Sequence, residues 1–413
     1  MIDINRLREE PDYIKAQILR KEPSFDVDTM IASEQKVRAV RSAVEILRKQ
    51  KNELASMGAK GITAELRQQA IDLGVKLKAQ EAELETAEKA FNDLYLACPN
   101  IPQEDLPDGN KEANEVVRSH GHKPSFSFPI KHHLDLNETA QWFDLQIAAQ
   151  MTGAQFVFYK TQGAKIIYAL TRLMLKNNAQ SGFMPVIPPA LVMEKALYNS
   201  GNLPKFEGDY YRVPSDGLCL IPTAEVNLTN LYAGKIFQAQ DLPVRHTAWT
   251  SCFRREAGGY GATDRGLIRI HQFEKVELYS ICEPEESAAE LERMVTCAEK
   301  LLQQLGLHYR VSLLACQDCS FSSARTYDIE VWLPGQDRFY EVSSCSNCTD
   351  FQARRANIKY RKSTDSKPQF AHTLNASSLA LPRLMVALME NYQQEDGTIK
   401  LPSLLTDVMN ELW

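Results

Sequence analysis

Phe253-Arg254-Arg255-Glu256, a glycine-rich run, and then Leu267-Ile268-Arg269-Ile270-His271-Gln272-Phe273 form the stretch on which the fold turns. Two arginines and a carboxylate close one alternating segment. Gly258, Gly259, Gly261 and Gly266 interrupt the chain before a second alternating segment returns Arg269 and Phe273. The pattern predicts a hairpin carrying cations, an acid and an aromatic ring around a loop. Guanidinium forks match phosphate oxygens and a phenyl face takes a base, so such a hairpin suits a nucleotide. A plain strand with surface arginines would read the same way locally, so the rest of the chain must discriminate.

The chain has 413 residues, enough for two or three domains, and a formal charge of -6. Any nucleic-acid contact must therefore come from local basic patches. The opening Met1-Ile2-Asp3-Ile4-Asn5-Arg6 lacks the apolar centre of an export signal, and no membrane span is expected. With nine cysteines and no export signal, a reducing, cytoplasmic setting with free thiols is expected. Cys316 and Cys319 form one CxxC and Cys345 and Cys348 another, 25 residues apart. That approaches a four-thiolate zinc pattern with an overlong gap; buried cysteines on strands explain it equally well.

Heptads fill the first hundred residues. Met30, Val37, Val44 and Lys51 form one seam, with Ser33, Val40, Leu47 and Leu54 in the alternate one. A second register holds Leu77, Leu84 and Phe91 beside Leu73, Gln80, Ala87 and Leu94. Met57-Gly58-Ala59-Lys60-Gly61 lies between them and reads as a turn. The expectation is an antiparallel coiled-coil hairpin over about 27–97, roughly 45 Å long, projecting from the body. Its first helix is basic (Lys36, Arg38, Arg41, Arg48, Lys49, Lys51) and its second acid-rich (Glu81, Glu83, Glu85, Glu88). This is either a solvated charged face or a phosphate-tracking arm. A Pro/Gly-punctuated linker runs over 106–120. Beyond it, helices are predicted at 166–178 and 285–305, and strands at 155–159, 218–222, 248–254, 267–278, 326–333 and 339–343. Adjacent hairpins argue for an α+β domain with a mainly antiparallel sheet over 121–413.

Five segments, in order, carry a resemblance across the whole chain. They are Met1-Ile2-Asp3-Ile4 with Arg8-Glu9-Glu10-Pro11; Asn202-Leu203-Pro204-Lys205-Phe206 with Pro222-Thr223-Ala224-Glu225-Val226; the arginine hairpin through Glu277; Glu341-Val342-Ser343-Ser344-Cys345-Ser346-Asn347; and Asn375-Ala376-Ser377-Ser378-Leu379-Ala380-Leu381-Pro382-Arg383. With the predicted arm, the chain resembles the bacterial-type seryl-tRNA synthetases, class II aminoacyl-tRNA synthetases. The resemblance implies a tRNA-binding region over 1–105 and a class II catalytic domain over 121–413. It implies a serine–tRNA ligase that activates L-serine with ATP and transfers the seryl group to tRNA(Ser), and to tRNA(Sec) where that tRNA exists. It further implies Mg²⁺ as cofactor and a homodimer, with Pro189 at the interface.

The first step joins two anions, so cations and alignment carry it. By resemblance Arg254, Glu341 and Arg383 are catalytic. The ATP-binding set is Arg254, Arg255, Glu256, Arg269, Ile270, Phe273, Glu341, Val342, Ser343, Ser344 and Arg383. Arg254 would bridge the serine carboxylate and α-phosphate, Arg269 would meet the distal phosphates, and Glu256 would face the adenine edge. Phe273 and Arg383 would sandwich the base. Arg255 falls between two such residues on a strand, where alternation could turn it away. Serine would meet Thr223, Ala224, Glu225, Arg254, Glu277 and Ser377, and Glu341 and Ser344 would ligate Mg²⁺, a hard cation that wants oxygen donors.

Ala376, Ser378 and Pro382 stand where the family commonly has glycine, which leaves the local backbone geometry open. The Ser-Cys-Ser-Asn run around Cys345 resembles family members without a structural metal, so zinc is not expected. Three other functions compete. Carrier-protein ligases share the catalytic fold but lack a long arm. An inactive tRNA-binding paralogue would not need Arg254, Glu256, Glu277, Glu341 and Arg383 together. A zinc-ribbon protein would leave most of the chain unexplained.

Overall fold

The computed structural model describes residues 1–59, 61, 63–257 and 265–413. Gly258, Gly259 and Gly261 lie outside the described residues, as does Lys60 of the expected turn. The chain divides into two compact units, one of Ile2–Pro99 and one of Asn100–Trp413 with Met1.

In the first unit, α1 (Val27–Gly58) and α2 (Ala64–Ala97) pair as antiparallel helices. Asp26 caps α1 by accepting from the Thr29 amide at 3.0 Å, and Thr63 caps α2 through the Leu66 amide at 3.2 Å. Met30, Val37, Val40 and Val44 are buried on α1, and Leu73, Leu77, Ala87 and Phe91 on α2. The seam thus follows the heptads. Lys51 is exposed, because the buried seam fades toward the turn. The helices have 32 and 34 residues, roughly 50 Å each. Part of their charge asymmetry is internal: Arg41 meets Glu88 at 2.7 Å and Arg48 meets Glu81 at 2.8 Å. Lys36, Lys49 and Lys51 remain exposed.

The second unit is built on an eight-stranded sheet. Its strands are β1 (Glu115–His120), β2 (Met184–Pro185), β3 (Val244–Phe253), β4 (Gln272–Cys282), β5 (Tyr309–Leu313), β6 (Arg325–Leu333), β7 (Arg338–Asn347) and β8 (His372–Ala380). The spatial order is β1-β5-β6-β7-β8-β4-β3-β2, antiparallel throughout except for the parallel pair β2 and β3. Three helices pack on the sheet: α3 (Thr161–Gln180), α4 (Ser287–Gln304) and α5 (Leu381–Asn391). Ile166, Leu170 and Met174 bury one face of α3 at four-residue spacing. Leu291, Met294, Val295, Ala298 and Leu302 do the same on α4, and Gly306 follows it at φ +66°. Burying these aliphatic side chains against the sheet is worth about 1.5–3 kcal/mol each before entropy is set against it. Among the described residues no helix is long and apolar enough to cross a membrane.

The strand expected from Leu267 starts later, at Gln272. Gly266–Ile268 forms a short 3-10 turn instead, with Gly266 at φ +70°. Leu267 and Ile268 are both buried in the main core, and the left-handed backbone at Gly266 turns the chain before the strand begins. Of 155–159, only Phe158–Tyr159 is strand, since Gln155 takes φ +62°.

Two irregularities decide which side chains meet. Between β6 and β7, Ile329 faces Ser343 but Glu330 faces Glu341, so Val342 is an extra residue. That bulge puts Glu341 and Ser344 on one face although they are three apart. Between β4 and β8, Lys275 faces Ala380 and Glu277 faces Ser377. The extra residue there falls by Leu379, at φ +84°. Ser377 and Ala380 consequently reach the same side, while Ser378 turns inward and donates to Asn178 at 2.8 Å. Ala376 is fully buried opposite Cys345. Pro382 lies in the first turn of α5, where its missing N–H has no helical partner to lose. The three residues at glycine positions are thus each accommodated.

Candidate active site

The first cavity, of ≈ 170 Å³, opens beside the end of the β3–β4 hairpin. Arg254, Glu256, Arg269, Ile270, Phe273, Glu341, Val342, Ser377 and Arg383 all line it. Glu256 (φ +53°) holds Arg269 at 2.7 Å. The Arg254 guanidinium stands 5.3 Å from the Phe273 ring centroid, and its Nε donates to the Pro222 carbonyl at 3.3 Å. Arg383 donates to the Glu341 carbonyl at 3.0 Å, pairs with its carboxylate at 3.2 Å, and lies 5.0 Å from the Tyr340 centroid. Phe273 and Arg383 thus line one cavity, each with a cation–aromatic contact of its own.

The second cavity adjoins it and shares Arg254, Lys275, Glu341 and Ser377 with it. Thr223, Glu225 and Glu277 line this side. Thr223 Oγ1 donates to Glu277 Oε2 at 3.1 Å. Glu225 accepts from Gln352 at 2.6 Å and Asn375 at 3.0 Å. Burial, and then the neighbouring Glu277, push the Glu225 carboxyl up to about 7. Glu277 is also raised by burial, with Lys275 opposing the shift.

A third opening is lined by Asp328, Glu330, Glu341 and Ser344. Asp328 faces Ser344 across the sheet, and its Oδ1 is buried without a hydrogen-bond partner. Hard oxygen donors with an unsatisfied carboxylate oxygen suit a divalent cation such as Mg²⁺.

Not every expected residue reaches a cavity. Arg255 is exposed; its amide donates to Asp209, and its guanidinium lies 6.0 Å from the Tyr211 centroid. Strand-like alternation beside Arg254 turns it outward. Ala224 is buried beneath the segment that presents Thr223 and Glu225, and lines neither cavity. Ser343 is buried on the opposite face of β7 and bonds the Ser377 carbonyl at 2.5 Å. The structure adds Lys275, Asn375, Gln352 and Asp328. Period-two alternation through Phe273 and Glu277 points to Lys275; Asn375 lies two residues before Ser377; no local signal marks Gln352 or Asp328.

All nine cysteines are buried free thiols. Cys316 and Cys319 sit in a small apolar cluster with Leu106, Leu313 and Leu314, whereas Cys345 belongs to the main core. Among the described residues, the one group of three or more side chains spaced to hold a metal is His132, His133 and Glu390. The four CxxC sulfurs do not form such a group.

The family model described as the seryl-tRNA synthetase N-terminal domain matches residues 1–102, and that of the class II tRNA synthetase core domain (G, H, P, S and T) matches 210–392. A serine–tRNA ligase of Nitratidesulfovibrio vulgaris is 42% identical over 419 residues, covering 100% of this chain and 99% of the relative. One from Chlamydia muridarum is 41% identical, covering 99% and 97%. The crystal structure of the Pyrococcus horikoshii seryl-tRNA synthetase complexed with ATP superposes with a TM-score of 0.93 at 33% identity, covering 99% of this chain and 98% of that one. The chain therefore belongs to the seryl-tRNA synthetases, within the class II aminoacyl-tRNA synthetases.

Proposed function

We propose that this chain is a serine–tRNA ligase working in the cytoplasm. A serine carboxylate oxygen bonds to the α-phosphorus of ATP as the α–β bridging bond breaks and pyrophosphate leaves. A ribose hydroxyl of the 3′-terminal adenosine of tRNA(Ser), or of tRNA(Sec) where it exists, then takes the seryl carbonyl and AMP leaves. The observation that carries this reading is two cavities with different chemistry sharing Arg254 and Glu341.

In this reading the slot between Phe273 and Arg383 takes adenine, with Glu256 and Ile270 at its edge. Arg254, at the junction, holds the serine carboxylate against the α-phosphate and offsets their repulsion. Arg269, held by Glu256, meets the distal phosphates. Thr223, Glu225, Glu277 and Ser377 receive the ammonium and hydroxyl of serine. Glu341 and Ser344, on one face because of the Val342 bulge, would hold Mg²⁺, with Asp328 beside them. When bound, the ion supplies positive charge to the phosphate oxygens. Arg255 and Ala224 support the site through the backbone, and Ser343 does so through its hydroxyl on the Ser377 carbonyl. Residues 1–105 bind tRNA through the helical hairpin.

A homodimer is also proposed, through the face that exposes Met184 (65%), Ile187 (97%) and Met193 (68%) around Pro189. The test of the function is ATP–pyrophosphate exchange with each of the common amino acids, without tRNA. Exchange is expected with serine under Mg²⁺, and its absence sinks the ligase reading.

A further inference from the structure

Strand β4 puts Phe273, Lys275 and Glu277 on one face by simple alternation. Phe273 belongs to the first cavity and Glu277 to the second; Lys275, between them, borders both. Its side chain is nearly closed off, at 8% exposure. The ammonium donates to Thr223 Oγ1 at 2.8 Å and meets Glu277 Oε2 at 2.5 Å. Thr223 closes the triangle by donating to the same Glu277 oxygen at 3.1 Å.

A buried lysine is a costly way to fill space. An apolar side chain of equal volume would stabilise the fold as well or better. The charge balance around it gives the lysine a purpose. Glu225 and Glu277 are two neighbouring carboxyls facing one cavity, and Arg254 and Lys275 are the cations that act on both. Arg254 is committed to the reacting anions. Two adjacent buried carboxyls without a further cation would share a proton. A protonated Glu277 would offer a donor where serine needs an acceptor.

We propose that Lys275 is a positioning residue and specificity determinant of the amino-acid cavity: it clamps Thr223 onto Glu277 and so fixes the Glu277 carboxylate as the acceptor that selects a β-hydroxyl amino acid. Both clamping contacts to Glu277 fall on Oε2, which directs the other carboxylate oxygen to the ligand. Alanine, which lacks the hydroxyl, leaves that oxygen unpaired and is rejected for that reason.

The inference rests on the serine-ligase reading, and the experiment separates the two. The full chain and Lys275→Met are compared by ATP–pyrophosphate exchange with serine and with alanine, alongside thermal melting. In the variant the serine KM rises about 100-fold, the scale of losing a hydrogen bond to a charged group, while the ATP KM stays within about 2-fold. The serine-to-alanine ratio of kcat/KM falls at least about 10-fold. Lys275→Gln keeps two donors without the charge and serves if the methionine variant does not fold; the same split is expected. A serine KM within about 3-fold of the parent's overturns the proposal. So does a parallel rise in both KM values with unchanged selectivity, since that is the mark of a general structural role. Failure of the unmodified chain to exchange with serine would instead strike the ligase reading.

Discussion

At the residue scale, Arg254 and Glu225 are where the proposed site is most directly open to test. Arg254 follows directly on β3 at the junction of the two cavities, where its charge faces any anion placed in either. Arg254→Ala is expected to lower kcat of serine-dependent exchange by about 10²–10³, the cost of removing one preorganised donor from a developing charge. Steady-state exchange at saturating serine and ATP measures it. Glu225 carries a pH signature. With its carboxyl pushed up to about 7, it is largely protonated at pH 6, whereas the ammonium of a serine bound as proposed favours the carboxylate. Serine binding below pH 7 should therefore expel a proton, and apparent affinity should weaken as pH falls. Calorimetry in two buffers of different ionisation enthalpy reads this directly, and Glu225→Gln should abolish the Glu225 share. For stability the sign is opposite. A raised carboxyl stabilises the fold below its ordinary value of 4.5 and loses that contribution as pH rises through about 7.

At the scale of elements, turns and bulges aim the side chains. Gly266 takes φ +70°, and a Cβ there would lie 2.2 Å from His133 Nε2. His133 cannot easily give way, because its Nδ1 lies 3.1 Å from Glu390 with both side chains fully buried. Gly266→Ala should therefore destabilise the fold by about 1–3 kcal/mol and raise the ATP KM by moving Arg269 three residues on. A thermal melt with ATP titration checks both effects. Much at this scale was legible. The heptads announced α1 and α2 because the seam period is local, and the proline and glycine around α4 marked its ends. The 3-10 turn at Gly266–Ile268 was not legible, since Leu267-Ile268-Arg269-Ile270 reads as strand until the backbone turn at Gly266 is known. The bulges at Val342 and near Leu379 were also hidden, because register belongs to the partner strand as much as to the bulged one.

At the scale of the whole molecule, the two units predict separable functions. Deleting 28–97 should leave serine-dependent exchange within about 3-fold of the parent and reduce tRNA charging by at least about 100-fold, as lost basic contacts dictate. Equal loss of both activities would refute a separate tRNA arm. Ile187→Asp should weaken the proposed homodimer by placing a charge in an apolar contact, read as a lower mass in analytical ultracentrifugation.

The sequence by itself determined the helical hairpin and the α+β class, and its five ordered segments carried the resemblance to the family, through which Arg254, Glu277, Glu341 and Arg383 were singled out as site candidates. The hairpin and the class depend on short-range periodicity, and the resemblance on the order of short motifs along the chain. Only the tertiary structure decided that Arg255 faces outward, that Glu341 and Ser344 share a face, and that Lys275 joins Thr223 and Glu277. Each of these depends on contacts between segments far apart in the chain: 52 residues separate Lys275 from Thr223. Such contacts are set by strand register and burial, which no local stretch of sequence contains.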